Sequence, residues 1–232
     1  MTQTPKSASE LTRLAEHVSQ HLIAFYGEPD WRNPLPPLDE LVSTILSQNT
    51  NDRNRDRAYH NLRQRFASWE DVRDAEQSEV IAAIRTAGLA NQKGARIQQI
   101  LREITQERGS LDITFLKAYE PAEAQEWLLK FKGVGRKTAA IVLLFSLGLP
   151  SFPVDTHIHR VTGRLGLKPE SMTADESHDH LARLFHEEMY KTIHLNLIRL
   201  GREICHPRNP ECVRCPLKDI CQYARHNTPN KK

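Results

Sequence analysis

The stretch LLKFKGVGRKTAAIVLLFSL, residues 128–147, decides the fold of this chain. One amphipathic helix ends here, two glycines at 133 and 135 flank Val134, and a nearly all-apolar helix begins. Glycines allow a tight turn with exposed backbone N–H groups, and with the positive end of the next helix these groups form a seat for phosphate. A helix that is apolar on all sides must be buried. The stretch therefore predicts a helical hairpin over residues 121–147, packed into an α-helical core.

Lys137 lies on the first turn of the second helix of this hairpin. A lysine amine of ordinary pKa is protonated at neutral pH and is a poor nucleophile. Partial burial, a helix N-terminus and neighbouring cations such as Lys132 and Arg136 all favour the neutral amine. Two interpretations stay open at this point: an activated amine, or an ordinary interhelical turn whose lysine contacts phosphate.

The rest of the chain has helical periodicity nearly throughout, without a convincing run of strict alternation. Between Leu38 and Leu46 the apolar residues follow one stripe of a 3.6-residue helix. This pattern predicts an all-α fold with short connections. Besides this segment, helices are predicted at about 9–26, 52–66, 77–87, 91–107, 121–130, 136–147, 156–165, 173–187 and 189–204.

Two proline-containing segments, 33–37 and 147–153, indicate crossings between two lobes. We expect a central helical barrel of six helices over 36–149. A second lobe would combine 9–35 with 150–223, and residues 1–8 and 226–232 would form solvated tails.

Composition excludes several classes of protein. The 232 residues carry 32 Lys and Arg against 29 Asp and Glu, with 39% hydrophobic and 26% charged residues, which excludes disordered and collagen-like chains. The longest apolar run, 139–149, is far shorter than the roughly 20 residues of a membrane span. The N-terminus has no signal or transit pattern, so we expect a cytosolic-type reducing compartment.

All four cysteines fall in one window, at Cys205, Cys212, Cys215 and Cys221, separated by six, two and five residues. In a reducing compartment such clustering indicates a metal site rather than disulfides. The spacing alone leaves zinc and an iron-sulfur cluster open. Because basic residues are interleaved with the cysteines, we interpret the segment as binding a DNA backbone rather than as a redox catalyst.

Three motifs in order resemble one family: GVGRKTA at 133–139, Val-Asp-Thr-His at 154–157, and the cysteine window. Over residues 35–223 the chain resembles the helix-hairpin-helix DNA glycosylases, most closely endonuclease III. The resemblance implies that Lys137 is the nucleophile and Asp155 its partner, which helps to deprotonate the amine and stabilises positive charge on the deoxyribose. It also implies a 4Fe-4S cluster at the cysteines and contacts between DNA and residues 133–136.

Asp155 has a simpler interpretation as a helix N-cap, because it stands before a helical pattern. The two roles are compatible, since a carboxylate fixed by backbone N–H groups stays ionised.

Chemistry on a base inside a duplex requires the nucleotide to be turned out and the gap to be filled. The amides of 47–52 and the apolar side chain of Leu89, beside Gly88, suit this task, although each segment alone is typical of a cap or core contact. The resemblance places both in the intercalating loops of the family. Many relatives have glutamine two residues after the serine, whereas this chain has Asn49 there and Gln48 before it. The sequence leaves open which amide fills the gap.

His157 and His159 form a His-x-His pair. Without nearby carboxylate ligands this pair is more typical of structural or DNA-facing histidines than of a metal site, and we predict that His157 contacts DNA.

The resemblance, together with these residues, implies a bifunctional DNA glycosylase and AP lyase. It would remove oxidised or damaged pyrimidines from double-stranded DNA through a Schiff base at Lys137, with strand cleavage by β-elimination. The partner would be DNA with damaged bases or abasic sites; we expect a monomer with no membrane association, in the nucleoid-containing cytoplasm of a prokaryote. The alternatives are a monofunctional adenine or thymine mismatch glycosylase, disfavoured by Lys137, and a noncatalytic DNA-binding module.

Overall fold

The structure, a computed structural model, describes residues 6–30 and 34–227. It contains no strand within these ranges, which confirms the predicted all-α class. The helices are α1 (Ala8–Tyr26), α2 (Pro37–Ser47), α3 (Asp52–Arg65), α4 (Trp69–Asp74), α5 (Gln77–Ala83), α6 (Ala90–Arg108), α7 (Pro121–Leu129), α8 (Arg136–Ile141), α9 (Thr156–Leu165), α10 (Ala174–Ala182), α11 (Tyr190–Glu203) and α12 (Gln222–Asn227).

The chain divides into two compact units. The central unit is Pro34–Leu149, and the second unit joins Met1–Asn33 to Pro150–Lys232. The two proline-containing segments lie at the boundaries between them.

Three predicted helices differ from the observed ones. The pattern at 77–87 divides into α5 and a 3₁₀ turn, Arg85–Ala87. The pattern at 136–147 begins as α8 and widens into a π-helix, Val142–Leu147, before Gly148 ends it with a φ of +72°. The pattern at 173–187 already ends at Ala182.

Helix α4 was not predicted. A capping box fixes its first turn, in which Ser68 and Asp71 each accept from the backbone of the other. Six residues are too few to show a periodic stripe, so this helix is set by its cap and by the burial of Trp69 and Val72.

In the central unit, α2 is the innermost helix. Every residue from Leu38 to Leu46 except Asp39 is buried, and the helix packs against α3, α6 and α8. Apolar residues from all of these helices form one continuous core. This core reaches the loops at the ends of α2, α5 and α7, where the predicted site residues lie.

In the second unit, α9 packs closely against α11. A Cβ added at Gly201 would lie 2.8 Å from the Cβ of His157, so only glycine permits this approach. Helices α1, α10 and α12 complete the unit around Leu22, Phe152 and Ile158, which are buried.

The predicted tails, 1–8 and 226–232, overlap the ends of two helices. Helix α1 begins at Ala8 behind a capping box of Ser7 and Glu10, and Lys6 Nζ donates to Gly166 O over 3.1 Å. Helix α12 continues through Asn227. Residues 1–5 and 228–232 lie outside the described residues. In the described part of the chain, no helix is long and apolar enough to cross a membrane.

Candidate active site

The glycine hairpin joins α7 to α8. Gly133 has a φ of +90°, a conformation that favours glycine, whereas Gly135 is extended and is the N-cap of α8. Val134 is 5% exposed, belongs to the core, and donates its N–H to Phe131 O over 3.0 Å. Both the side chain and the N–H of Val134 therefore hold the hairpin to the core, and its predicted contact with DNA stays a prediction.

Lys137 is the second residue of α8, directly after the hairpin. It is half-buried, while the residues that follow it, Thr138 to Ala140, are buried. The lysine thus lies at the edge of the core and at the N-terminal end of its helix.

The loop after α2 presents its two amides differently. Gln48 is half-buried; its Nε2 donates to Gly133 O over 3.2 Å and its Oε1 accepts from Arg96 over 2.8 Å. Asn49 is exposed and has a φ of +53°. The structure therefore assigns Gln48 to holding the hairpin and leaves Asn49 as the exposed amide of the loop.

Leu89 is not a core contact. It is 49% exposed, has a φ of +49°, and follows Gly88, whose φ is +67°. A left-handed leucine costs about 1–2 kcal/mol. A large apolar side chain held in solvent by a strained backbone is typical of a functional position.

In the second unit, Asp155 is the N-cap of α9. Its Oδ1 accepts from the N–H of Ile158 over 2.8 Å, which confirms the capping interpretation. The segment before it is held from two sides, because buried His178 and His194 bond to the carbonyl oxygens of Phe152 and Pro153.

His157 is half-buried one turn below Arg160. The Arg160 guanidinium lies 3.2 Å from His157 Nδ1, and since a guanidinium only donates, Nδ1 must accept. Neutral His157 therefore carries its proton on Nε2. His159 Nε2, in contrast, bonds to Met172 O over 2.9 Å, in agreement with a structural role.

The four cysteines lie between half-buried and buried, and none forms a disulfide. Burial raises the pKa of Cys212 and Cys221, and raises that of Cys215 to about 11, with smaller contributions from the other thiols. A ligand that removes the protons must therefore offset this cost. Arg164 donates to Cys205 Sγ over 3.3 Å.

The donor set fits an iron-sulfur cluster because it consists of four thiols, one of which already accepts an N–H···S bond. The fit concerns the kind and number of donors, because in the described ranges no three His, Cys, Asp or Glu side chains, these cysteines included, already surround one metal-ion position.

Comparisons with known proteins identify the family. A family model for base excision DNA repair proteins of the HhH-GPD superfamily matches residues 42–187, and one for the iron-sulfur binding domain of endonuclease III matches residues 205–221. The fold and its hairpin thus define a helix-hairpin-helix base excision repair protein.

Similar proteins show to which family of helix-hairpin-helix repair proteins the chain belongs. The chain is 34% identical to endonuclease III of Thermotoga maritima over 82% of this chain and 84% of the relative. A solved complex of an endonuclease III with DNA superposes with a TM-score of 0.78 at 25% identity, over 93% of this chain and 97% of that one. The chain belongs to the endonuclease III family. It is a DNA glycosylase and AP lyase that binds a 4Fe-4S cluster, as the sequence predicted.

A thermostable thymine-DNA glycosylase superposes with a TM-score of 0.80 at 21% identity, over 95% of this chain and all of that one. At this identity the likeness shows the shared fold alone.

Sequence reasoning missed the residues that support the site. Arg96 on α6, which holds Gln48, and Arg164 on α9, which donates to Cys205, carry no motif. Their partners lie 48 and 41 residues away, so no local spacing links them to the site.

Proposed function

We propose that the chain removes oxidised or damaged pyrimidines from double-stranded DNA and cleaves the strand 3′ to the resulting site. The observation that carries this proposal is the position of Lys137, half-buried on the first turn of α8 directly after the glycine hairpin. The other parts of the proposal assign roles to the residues around it.

In the proposed reaction the neutral amine of Lys137 forms a bond to C1′ of the sugar. The bond between C1′ and the base breaks, and the base leaves with the electron pair and takes up a proton. The sugar ring then opens to a Schiff base. Removal of a proton from C2′ breaks the bond between C3′ and its phosphate oxygen, which cleaves the strand.

Asp155 is proposed to act as the electrostatic partner. Its carboxylate accepts from the N–H of Ile158, and the family resemblance supports the proposal that it takes a proton from the amine and stabilises positive charge on the sugar.

DNA is proposed to meet the hairpin through the backbone of Gly133 and Gly135 and the side chain of Arg136. The Nε2–H of His157 offers one further phosphate donor. Leu89 fills the space left by the extruded nucleotide, and Asn49 faces the orphaned base.

Cys205, Cys212, Cys215 and Cys221 are proposed as the cluster ligands. The bound cluster would cross-link a loop whose one helical element is the short 3₁₀ turn Cys212–Arg214, and would fix its basic side chains toward the DNA backbone. We further propose that the protein acts as a monomer, on genomic DNA in the cytoplasm of a prokaryote.

Borohydride trapping on DNA with an abasic site tests the central assignment. Wild-type protein with its cluster should form a covalent adduct, Lys137→Ala should form none, and Lys117→Ala, which removes an exposed lysine outside the hairpin, should keep it. No adduct from the wild type, or an adduct that persists in Lys137→Ala, would refute the role of Lys137. A panel of damaged bases scored for both base release and strand cleavage then tests the pyrimidine preference; activity on abasic sites alone would overturn that part.

A further inference from the structure

Lys93 is the most deeply buried charged side chain of the central unit. Only 1% of the residue is exposed, although it lies in the first turn of α6, four residues after the exposed Leu89. Its Nζ atom donates to Leu46 O and to Ala87 O, each over 2.8 Å.

The two carbonyl groups lie at the bases of two different loops. Leu46 belongs to the last turn of α2, and the loop with Asn49 begins two residues later. Ala87 ends the 3₁₀ turn before Gly88 and Leu89. One ammonium group therefore bridges the starting points of both loops proposed to enter the duplex.

The two carbonyl groups that accept from Lys93 are favourable partners for a cation. The last carbonyl groups of a helical segment have no partner within it and carry partial negative charge, so a cation stabilises them. Burial nevertheless lowers the pKa of Lys93, and nearby Arg96 lowers it further. Because these backbone carbonyl groups remain when the lysine is replaced, loss of the ammonium group leaves a buried acceptor unpaired at the base of each loop.

The loops themselves need an external support. Asn49 and Leu89 both have left-handed backbones, with φ of +53° and +49°, and both are exposed. A strained conformation persists only where surrounding structure determines it. Arg96, one turn after Lys93 on the same helix, adds a second connection by holding Gln48.

We infer that Lys93 is a positioning residue that couples the Asn49 loop to the Leu89 loop, so that the two side chains enter the duplex as one rigid unit. This inference rests on the proposed function of the two loops. It predicts that loss of the bridge uncouples the loops without touching Lys137.

Hydrogen exchange of the DNA-free protein tests the coupling without any activity. In Lys93→Met, amides of 47–51 and of 88–89 should both exchange faster. The matched control is Lys168→Met in the second unit: Lys168 is also buried and its Nζ also donates to two carbonyl groups, those of Pro169 and Met172. This control should leave both loops unchanged. Faster exchange in only one loop, or in neither, would overturn the coupling.

Single-turnover kinetics tests the consequence for DNA. Lys93→Met should slow base release from a duplex by about tenfold or more, since small misplacements at reacting sites cost up to about a hundredfold. Lyase activity on an abasic site in single-stranded DNA, where no gap is filled, should change by less than about threefold. The double variant Leu89→Ala/Lys93→Met should release bases no more slowly than the slower of the two single variants. Both substitutions impair the same step, the entry of Leu89 into the duplex.

Additive effects of the two substitutions, or equal losses on duplex and single-stranded DNA, would contradict the inference. If Lys93→Met fails to fold, Lys93→Gln, which keeps one donor group on a shorter side chain, is measured in the same way. Inactive wild-type protein with coupled loop exchange would refute the proposed function and leave the coupling standing.

Discussion

The side-chain amide of Gln48 joins the loop after α2 to the glycine hairpin, because its Nε2 donates to Gly133 O over 3.2 Å. Its Oε1 accepts from Arg96 over 2.8 Å, so both ends of the amide bind protein groups. The hairpin that presents Lys137 and the loop that presents Asn49 are therefore held in a fixed relation within the central unit.

This relation predicts that substitutions at Gln48 and Asn49 change different properties, the first stability and the second the preference for the opposite base. Gln48→Ala should lower the free energy of unfolding by about 1–3 kcal/mol, because it removes the partners of Gly133 O and of the Arg96 guanidinium. Asn49→Gly should leave stability nearly unchanged, since glycine adopts a φ near +53° without strain. It should instead flatten the dependence of base release on the opposite base. Denaturant unfolding and single-turnover assays with each of the four opposite bases measure the two effects.

The assignment of the two amides would be reversed if Gln48→Ala altered the opposite-base preference at unchanged stability. An unchanged preference in Asn49→Gly would exclude Asn49 as the residue that faces the orphaned base.

Leu89 has a strained backbone and an exposed side chain. Substitutions at this position should therefore lower activity alike but differ in their effect on stability. Leu89→Gly removes the side chain and relieves a left-handed conformation that costs about 1–2 kcal/mol, whereas Leu89→Ala removes the side chain and keeps the strain. We expect both variants to release bases from duplex DNA about tenfold more slowly or worse, with the glycine variant the more stable of the two. Melting temperatures and duplex base release measure this, and a duplex rate equal to wild type in both variants would exclude Leu89 as the wedge.

Much of the fold could be predicted from the sequence because its signals are local. The periodic stripe from Leu38 to Leu46 and the apolar run after Lys137 mark helices that lie in the core, and both are buried as expected. The cap at Asp155 is likewise a local feature, three residues from the N–H that it binds.

The supports of the site could not be predicted because they join distant parts of the chain. In the sequence, Lys93 resembles a surface charge on a polar helix. In the fold, it donates to the carbonyl groups of Leu46 and Ala87, which are 47 and six residues away. The same holds for the choice between Gln48 and Asn49, which depends on the position of Arg96. Local patterns therefore indicate the exposed residues of the loops more readily than the buried residues that hold those loops in place.

The two glycines of the hairpin differ in physical role, which predicts different defects. A Cβ at Gly133 would meet the Arg96 side chain, and the φ of +90° strains any other residue, so Gly133→Ala should destabilise the protein by about 1–3 kcal/mol. Gly135 has an ordinary φ and open space around its Cβ position, so Gly135→Ala should fold normally.

If Gly135 lies against DNA, its added methyl group should weaken binding to an abasic-site analogue by about tenfold, since it keeps the backbone N–H groups from a phosphate. Unfolding curves and binding titrations separate the two defects. Wild-type affinity in Gly135→Ala would remove this residue from the DNA contact.

The assignment of the cysteines as cluster ligands predicts that one substitution removes both the cluster and part of the DNA affinity. Cys215→Ser should lose iron and the visible absorbance of the cluster, because a serine hydroxyl is a poor substitute for a thiolate ligand. DNA binding should weaken with it, since the basic loop is no longer fixed. Val213→Ser serves as the control in the same loop, because this side chain is 80% exposed and is not a ligand. Iron and sulfide analysis measures the loss, and full iron content in Cys215→Ser would exclude Cys215 as a ligand.

Asp155 has two roles that one pair of substitutions can separate. Asn is as good an N-cap as Asp, so Asp155→Asn should keep the bond to the N–H of Ile158 and its stability, whereas Asp155→Ala should lose about 0.5–2 kcal/mol. Both remove the carboxylate, and both should slow base release by about a hundredfold or more, since electrostatic stabilisation of this kind contributes on the order of 10²–10³ in rate. Unfolding free energies and single-turnover rates on the same duplex separate cap from charge. Because the asparagine variant keeps the helix end intact, wild-type turnover in it would show that Asp155 only caps α9.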